Sequence, residues 1–422
     1  MIKKIFVVVA LLVFGFNYAQ EGSLSPYSFF GTGDKRFKGM VENRAMGGIT
    51  VFTDSIHLNY SNPASLGGLR LTTFGVSGSS NMLTLKTDAA SESAKNVSFD
   101  YLILGMPVAR NVGVSFGLLA DSSVDYSLQS LNEDVEPIQL NQYTGNGNIN
   151  KVFIAAGWNI TPNLSVGATG NFNFGSIERT SFRLLDQIQY GTREVSTSDY
   201  SGWDFNFALN YKTKVFKSLQ LQSTLQYVPK TKISSSNVRE ISTIFVSSSG
   251  SQAVVETEDV DLVTDGMHST YVHKPEAYTV GLGVGKPLNW FVGGEYQYKK
   301  MSEYNIEFMN SVLGQYEDAE KFSAGGFWIP DYNSFTSYWK RVTYRLGIKN
   351  EKTGLLVNNV PLYDFGMTFG LGLPVEAFSN ANIGFEIGKR GTTNFGRVQE
   401  NYFSISISLS LNDRWFVKTL IK

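Results

Sequence analysis

The 422-residue chain contains no cysteine, which excludes disulfides, thiol catalysis, thiolate metal sites and a lipid anchor on a cysteine. Charged residues are also scarce, at 17% against roughly 25% in soluble proteins. The 36 basic and 37 acidic residues leave a formal net charge of -1, and no basic block stands out, so nucleic acid is not an expected partner. The only histidines are His57, His268 and His273, too widely spaced for a metal-ligand motif. No metal and no cofactor is expected. What the chain has in quantity is glycine (41) and aromatic residues (30 Phe, 21 Tyr and 6 Trp), a composition that rules out disorder over most of its length.

Long apolar runs are missing too, with one exception. Lys3 and Lys4 precede an unbroken run from Ile5 to Phe16, followed by Asn17-Tyr18-Ala19-Gln20. This is the three-part layout of a secretory signal, and the run is too short for the ~20 residues of a spanning helix. Residues 1–20 are therefore expected to be a signal peptide. The rest must be soluble or must cross a membrane as strands.

Period-2 alternation points to strands. Phe403, Ile405, Ile407, Leu409 and Leu411 interleave with Ser404, Ser406, Ser408 and Ser410. Trp203, Phe205, Phe207, Leu209 and Tyr211 interleave with Asp204, Asn206, Ala208 and Asn210, and Phe365 to Leu373 repeats the division with Gly and Thr. A soluble sandwich would carry Lys and Glu on its polar face, whereas here that face is Gly, Ser, Thr, Asn and Gln, which suits a crowded barrel lumen. Short turns are expected at Pro107, Pro162, Val215 to Ser218, Pro287, Pro330 and Pro374. Longer polar connections are expected near 83–95, 128–145, 179–197, 232–271, 308–314, 351–361 and 391–398. The result is an all-β, antiparallel transmembrane barrel of fourteen strands between residues 69 and 411, three of them expected at 289–307, 315–329 and 336–350. Alternation on both sides of Ser248 to Ser251 predicts a ribbon over 239–263 that rises beyond the bilayer, and a smaller one is expected near Tyr190-Gly191.

Residues 21–68 do not alternate. They read Ser25-Pro26-Tyr27-Ser28-Phe29-Phe30-Gly31, then Arg44-Ala45-Met46-Gly47-Gly48, Asp54 and Asn62-Pro63-Ala64-Ser65-Leu66. This order, ending just before the first strand, resembles the FadL family of outer-membrane proteins. The leader ending in Ala19-Gln20, Tyr344 to Gly347, Thr368 to Pro374 and the close Asn412 to Lys418 resemble its Bacteroidota branch. The resemblance implies fourteen strands over 69–422, an N-terminal hatch inside the barrel carrying Asn62, Pro63 and Ala64, and an outer-membrane location with both termini periplasmic. It does not carry a substrate, because residues of the fatty-acid pocket find no match. It permits two functions: a non-enzymatic barrel that binds or passes small hydrophobic compounds, or an accessory subunit of a larger outer-membrane secretion or assembly complex. Expected partners are outer-membrane lipid, a hydrophobic small molecule, and other outer-membrane proteins docking on the wall or the 239–263 ribbon.

Enzymatic motifs are decoys. Gly113 to Gly117 spells a nucleophile elbow but lies inside an alternating strand with Ser115 facing the lumen, and Gly283 to Pro287 lacks the spacing of a phosphate loop. Glu256, Glu258, Asp259 and Asp261 read as a solvated acidic loop. The informative charges are those on the inward phase of strands: Asp204, Glu295, Lys299, Arg341, Arg345 and Glu386. Lipid would penalise each of them, so they are expected in the lumen, where they either pin the hatch or line a ligand path.

Overall fold

Strands form where apolar and small polar residues alternate, because one face then meets lipid and the other the lumen. The computed structural model describes residues 25–134, 136–216, 218–247, 252–309, 314–375 and 379–413. The expected leader, the ribbon tip at 248–251 and most of the C-terminal close lie outside the described residues.

Fourteen long strands make the wall: β1 (Thr72–Lys86), β2 (Ser91–Ala109), β3 (Val112–Asn132), β4 (Gln139–Asn159), β5 (Leu164–Leu185) and β6 (Tyr190–Phe216). Next come β7, in two segments (Leu219–Val228 and Thr231–Val246), β8, also in two (Ser269–Lys274 and Ala277–Lys286), β9 (Trp290–Lys299) and β10 (Ala319–Trp328). The last four are β11 (Thr343–Val357), β12 (Val360–Pro374), β13 (Asn380–Arg390) and β14 (Gln399–Asp413). Each pairs antiparallel with its neighbours, and β1 pairs with β14 from Thr72 opposite Asp413 to Lys86 opposite Gln399, so the barrel closes. The expected phase holds: Ser404, Ser406, Ser408 and Ser410 are buried while Ile407 and Leu411 are exposed, and Asp204, Ala208 and Asn210 are buried between exposed Trp203, Phe205, Phe207, Leu209 and Tyr211. Ser115 is buried on the inner face. Among the described residues no helix is long and apolar enough to cross a membrane.

The structure corrects several boundaries. Where connections were expected at 83–95, 179–197 and 351–361, strands run on and close in tight turns. Asn358 and Asn359 both take positive φ (53° and 60°), the backbone of a two-residue hairpin turn whose twist matches the strands it joins. Above the bilayer both strand faces meet water, so alternation fades and the sequence reads as loop. β9 ends at Lys299 rather than 307 and β10 begins at Ala319 rather than 315, with short 3-10 turns Met301–Glu303 and Glu307–Met309 between them. Pro107 lies within β2, and the turn follows at Arg110-Asn111. β11 begins at Thr343 rather than 336, after a short helix Tyr338–Arg341.

β6 has 27 residues, roughly 90 Å at ~3.3 Å per residue, far more than the ~10 needed to span the membrane. Its upper part pairs with β7, whose end pairs in turn with the arm Gln252–Asp259, so both expected ribbons belong to one raised sheet. All eight residues of that arm are exposed, Glu256, Glu258 and Asp259 among them. β7 and β8 break at facing positions, between Val228 and Thr231 and between Lys274 and Ala277, where Pro229 and Pro275 supply no donor.

Residues 25–71 fold against the inner wall. Phe37, Met40, Val41, Leu58, Leu66 and Leu69 join Tyr101, Ile103, Leu119 and Phe153 of β2 to β4 in one buried cluster.

Candidate functional site

The candidate site is the contact between this hatch and the lumen wall. Its short helix Val41–Arg44 delivers Arg44, whose guanidinium meets Asp100 of β2 at 3.2 Å and Glu386 of β13 at 3.8 Å. Glu386 also holds Lys349 of β11 at 2.5 Å, and Lys349 reaches Asp364 of β12 at 3.6 Å. Arg390 of β13 pairs with hatch Asp34 at 2.9 Å and with Glu400 of β14 at 3.5 Å, while hatch Ser25 donates to Glu400. Each carboxylate thus has a cation or hydroxyl beside it in a space where an unpaired charge would be costly. A second cluster sits across the lumen. Lys151 of β4 lies 3.0 Å from Asp121 of β3 and 3.5 Å from Asp204 of β6, and Lys274 of β8 lies 2.9 Å from Asp204. The hatch strand Asp34–Lys35 pairs with Ser122 and Ser123 beside it.

Asn62 is fully buried, and its amide donates to Thr50 O (3.1 Å), to Asn210 Oδ1 of β6 (3.0 Å) and to Thr224 Oγ1 of β7 (3.2 Å). Pro63 opens the 3-10 turn Pro63–Gly68, where its missing N–H costs no hydrogen bond, and Ala64 is buried beside it. Glycines on the wall receive this turn. A β-carbon at Gly113, Gly157 or Gly167 would strike the backbone of Pro63 to Gly67, and at Gly325 or Gly347 it would strike Met46 and Gly47. Two arcs of wall glycine therefore let the hatch backbone lie directly on the strands.

Asp54 and His57 form a local pair in the hatch, Oδ2 to Nδ1 2.5 Å. Burial raises the Asp54 carboxyl, but His57 and the N–H groups of Ile56 and His57 outweigh it and bring its pKa down to about 2. Burial lowers the His57 value, Asp54 outweighs it, and the net direction is up.

The inward charges fall into three groups. Asp204 and Glu386 lie at the centres of the two ionic clusters. Glu295 accepts from Thr50 N–H (2.7 Å) and Thr50 Oγ1 (2.9 Å), and Arg345 reaches Asn382, which donates to hatch Glu42 at 2.7 Å. Lys299 faces a lumenal cavity. Arg341 lies in the turn helix ahead of β11 rather than in the strand; it is exposed, stacks over Tyr338 and borders the cavity that Asp54 and Arg345 also line. Sequence reasoning missed Asp100, Asp121, Lys151, Lys349, Asp364, Arg390 and Glu400. All follow the inward phase of the strand stretch that leads to them, which was the available signal, although Asp100 in β2 and Asp121 in β3 each sit at a register shift.

The sequence profile of the family described as BamG matches residues 1–422, so the chain belongs to that family. No curated protein matches it. Among solved structures, the fold is similar to the Ralstonia pickettii toluene transporter TbuX (TM-score 0.60, 15% identity, covering 90% of this chain and 99% of that one). It is also similar to the Pseudomonas putida toluene transporter TodX (TM-score 0.59, 16% identity, 90% and 100%) and to a Pseudomonas aeruginosa FadL homologue (TM-score 0.54, 9% identity, 89% and 98%). At such identities the likeness is one of fold: a FadL-like β-barrel.

Proposed function

We propose that this member of the BamG family is a non-enzymatic barrel of the outer membrane, termini and short turns periplasmic, that serves as an accessory subunit of a larger complex for outer-membrane protein secretion or assembly. The observation that carries this reading is the way the hatch is fixed. Ion pairs from Arg44 and Asp34, the Asn62 amide and two glycine arcs hold it on opposite sides of the lumen. Opening a path would break several of these contacts together, and separating a buried ion pair costs about 3–5 kcal/mol. The function then resides in outer surfaces. The Gln252–Asp259 arm pairs on one edge only among the described residues, and a free strand edge is a template for an added strand.

The second reading, passage of small hydrophobic compounds, is favoured by two features. The facing breaks of β7 and β8 border the lumenal cavity, and a further cavity of about 550 Å³ is lined in part by Phe52, Trp290, Phe291, Phe327 and Ile329. TbuX and TodX, described as toluene transporters, share this architecture.

Purification in mild detergent tests the choice. Stoichiometric co-purifying outer-membrane proteins, released when residues 239–263 are deleted, are expected, with permeability to apolar probes unchanged on deletion of residues 25–43. An isolated monomer whose hatch deletion leaks such probes would overturn the accessory reading in favour of transport.

A further inference from the structure

Of the lumenal ammonium groups, Lys151, Lys274 and Lys349 have a carboxylate within 4.0 Å, while Lys38 lies over the Tyr402 ring and Lys212 donates to Thr53 O. Three more lysines share one cavity. Lys35 of the hatch, Lys299 at the end of β9 and Lys321 of β10 line one cavity of about 510 Å³, and none lies within 4.0 Å of a carboxylate among the described residues. They come from three elements. Lys299 and Lys321 occupy the inward phase of adjacent strands, and Lys35 is brought over them by the pairing of Asp34–Lys35 with β3.

The surrounding carboxylates are largely engaged. Asp121 and Asp204 hold Lys151 and Lys274, and Glu295 accepts from Thr50. Glu351, opposite Lys321 in register, and Glu320 are the acidic lining residues without an ion pair among the described residues. Burial lowers the Lys35 pKa, Asp121 and Glu351 oppose that, and the charges of Lys321 and Lys151 reinforce it, so the net direction is down. Like charges gathered in a restricted lumen raise one another's energy, and an anion between them reverses the sign of that interaction.

We infer that Lys35, Lys299 and Lys321 form a binding site for a multivalent oxyanion, a phosphate group in particular. Ammonium groups are compact point charges, each with three donors, and three of them lining one cavity match the spread negative charge of a phosphate better than a single carboxylate. Free phosphate and the phosphomonoester of a lipid present the same group. The site is independent of whether the barrel acts as a docking subunit or a channel.

Calorimetric titration of the purified full chain, at constant ionic strength in a zwitterionic detergent, tests the inference. The probes are inorganic phosphate, dihexanoyl phosphatidic acid and decanoate. Binding of either phosphate probe is expected, and which one binds identifies the source. Lys35→Gln, and separately Lys321→Gln, are expected to weaken it about tenfold each, the loss of one charge-assisted bond. Lys321→Arg, which keeps the charge, is expected to retain most of it, and heat-modifiable gel mobility reports that each variant is folded. Heats no larger than those of sodium chloride, unchanged affinity in both glutamine variants, or tighter binding of decanoate than of either phosphate would each overturn the site.

Discussion

The carbonyl group of Pro63 rests on Gly167 of β5, leaving no room on the wall for a β-carbon. A side chain at this position must push the hatch turn away from the strand. Gly167→Val is expected to cost about 1–3 kcal/mol, the usual penalty for overpacking a filled site. The barrel itself should persist, because β5 keeps its ladders to β4 and β6. Trypsin should then cut at Lys35, Arg36, Lys38 or Arg44 in the variant while heat-modifiable mobility is retained. Gly170→Val is the control. It lies on the lipid phase of the same strand, where a β-carbon meets only Trp203 and Phe205 at ordinary distance, so a hatch that loosens equally in both variants would refute the cradle.

Arg44 and Asp100 form the closest ion pair between the hatch helix and the wall, both nearly fully buried. Arg44→Met leaves the Asp100 carboxylate with Ser77 and Ser79 as its remaining donors, and an unpaired buried charge costs about 3–5 kcal/mol. Asp100→Asn should cost less, since Arg44 retains Glu386 at 3.8 Å. The double variant should be less destabilised than the sum of the two. Urea-dependent protease protection of the hatch measures all three, and strictly additive losses would show that the pair is not coupled.

The wall was largely legible in the sequence and the hatch was not, for a physical reason. In lipid, a single inversion of phase at Ile407 or Phe205 would expose a polar face, so alternation there is strict. Strand count and inside-outside phase follow from it. Beyond the membrane that constraint vanishes, which is why the tight Asn358-Asn359 turn read as a long loop. The ionic clusters join residues as far apart as Asp34 and Arg390, and no spacing announces such a pair. The wall glycines were visible as small inward residues, but only the hatch backbone lying on Gly157 and Gly347 explains why they are glycine rather than serine.

The phase assignment predicts a sharp contrast between neighbours on β14. Ile407 is half-exposed on the lipid side and Ser406 is buried on the lumen side. Ile407→Arg is expected to cost about 2–4 kcal/mol near the bilayer midplane. Ser406→Thr keeps a hydroxyl on the inner face and should cost much less. Folding into lipid vesicles across a urea series gives both numbers, and equal losses would mean that the two faces are misassigned.

The Asp54–His57 pair predicts that one part of the hatch responds to pH. His57 titrates above its ordinary value of 6.5 in the folded hatch, so its contribution is complete below 6.5 and is lost as pH climbs through the raised value. Asp54 works in the opposite sense: held down to about 2 from an ordinary 3.8, its contribution is complete above 3.8 and is lost as pH falls through about 2. The pair is therefore fully formed between 3.8 and 6.5 and weakens on either side of that window. Hydrogen exchange of the Ile56 and His57 amides, which both donate to Asp54 Oδ1, reports it once corrected for intrinsic rates. Exchange should accelerate in the wild type as pH climbs from 6.5 through the raised His57 value. His57→Gln keeps the Asp54 acceptor but cannot titrate, so the step at high pH should vanish while the step in acid remains. A high-pH step that survives in His57→Gln would assign the transition to another group.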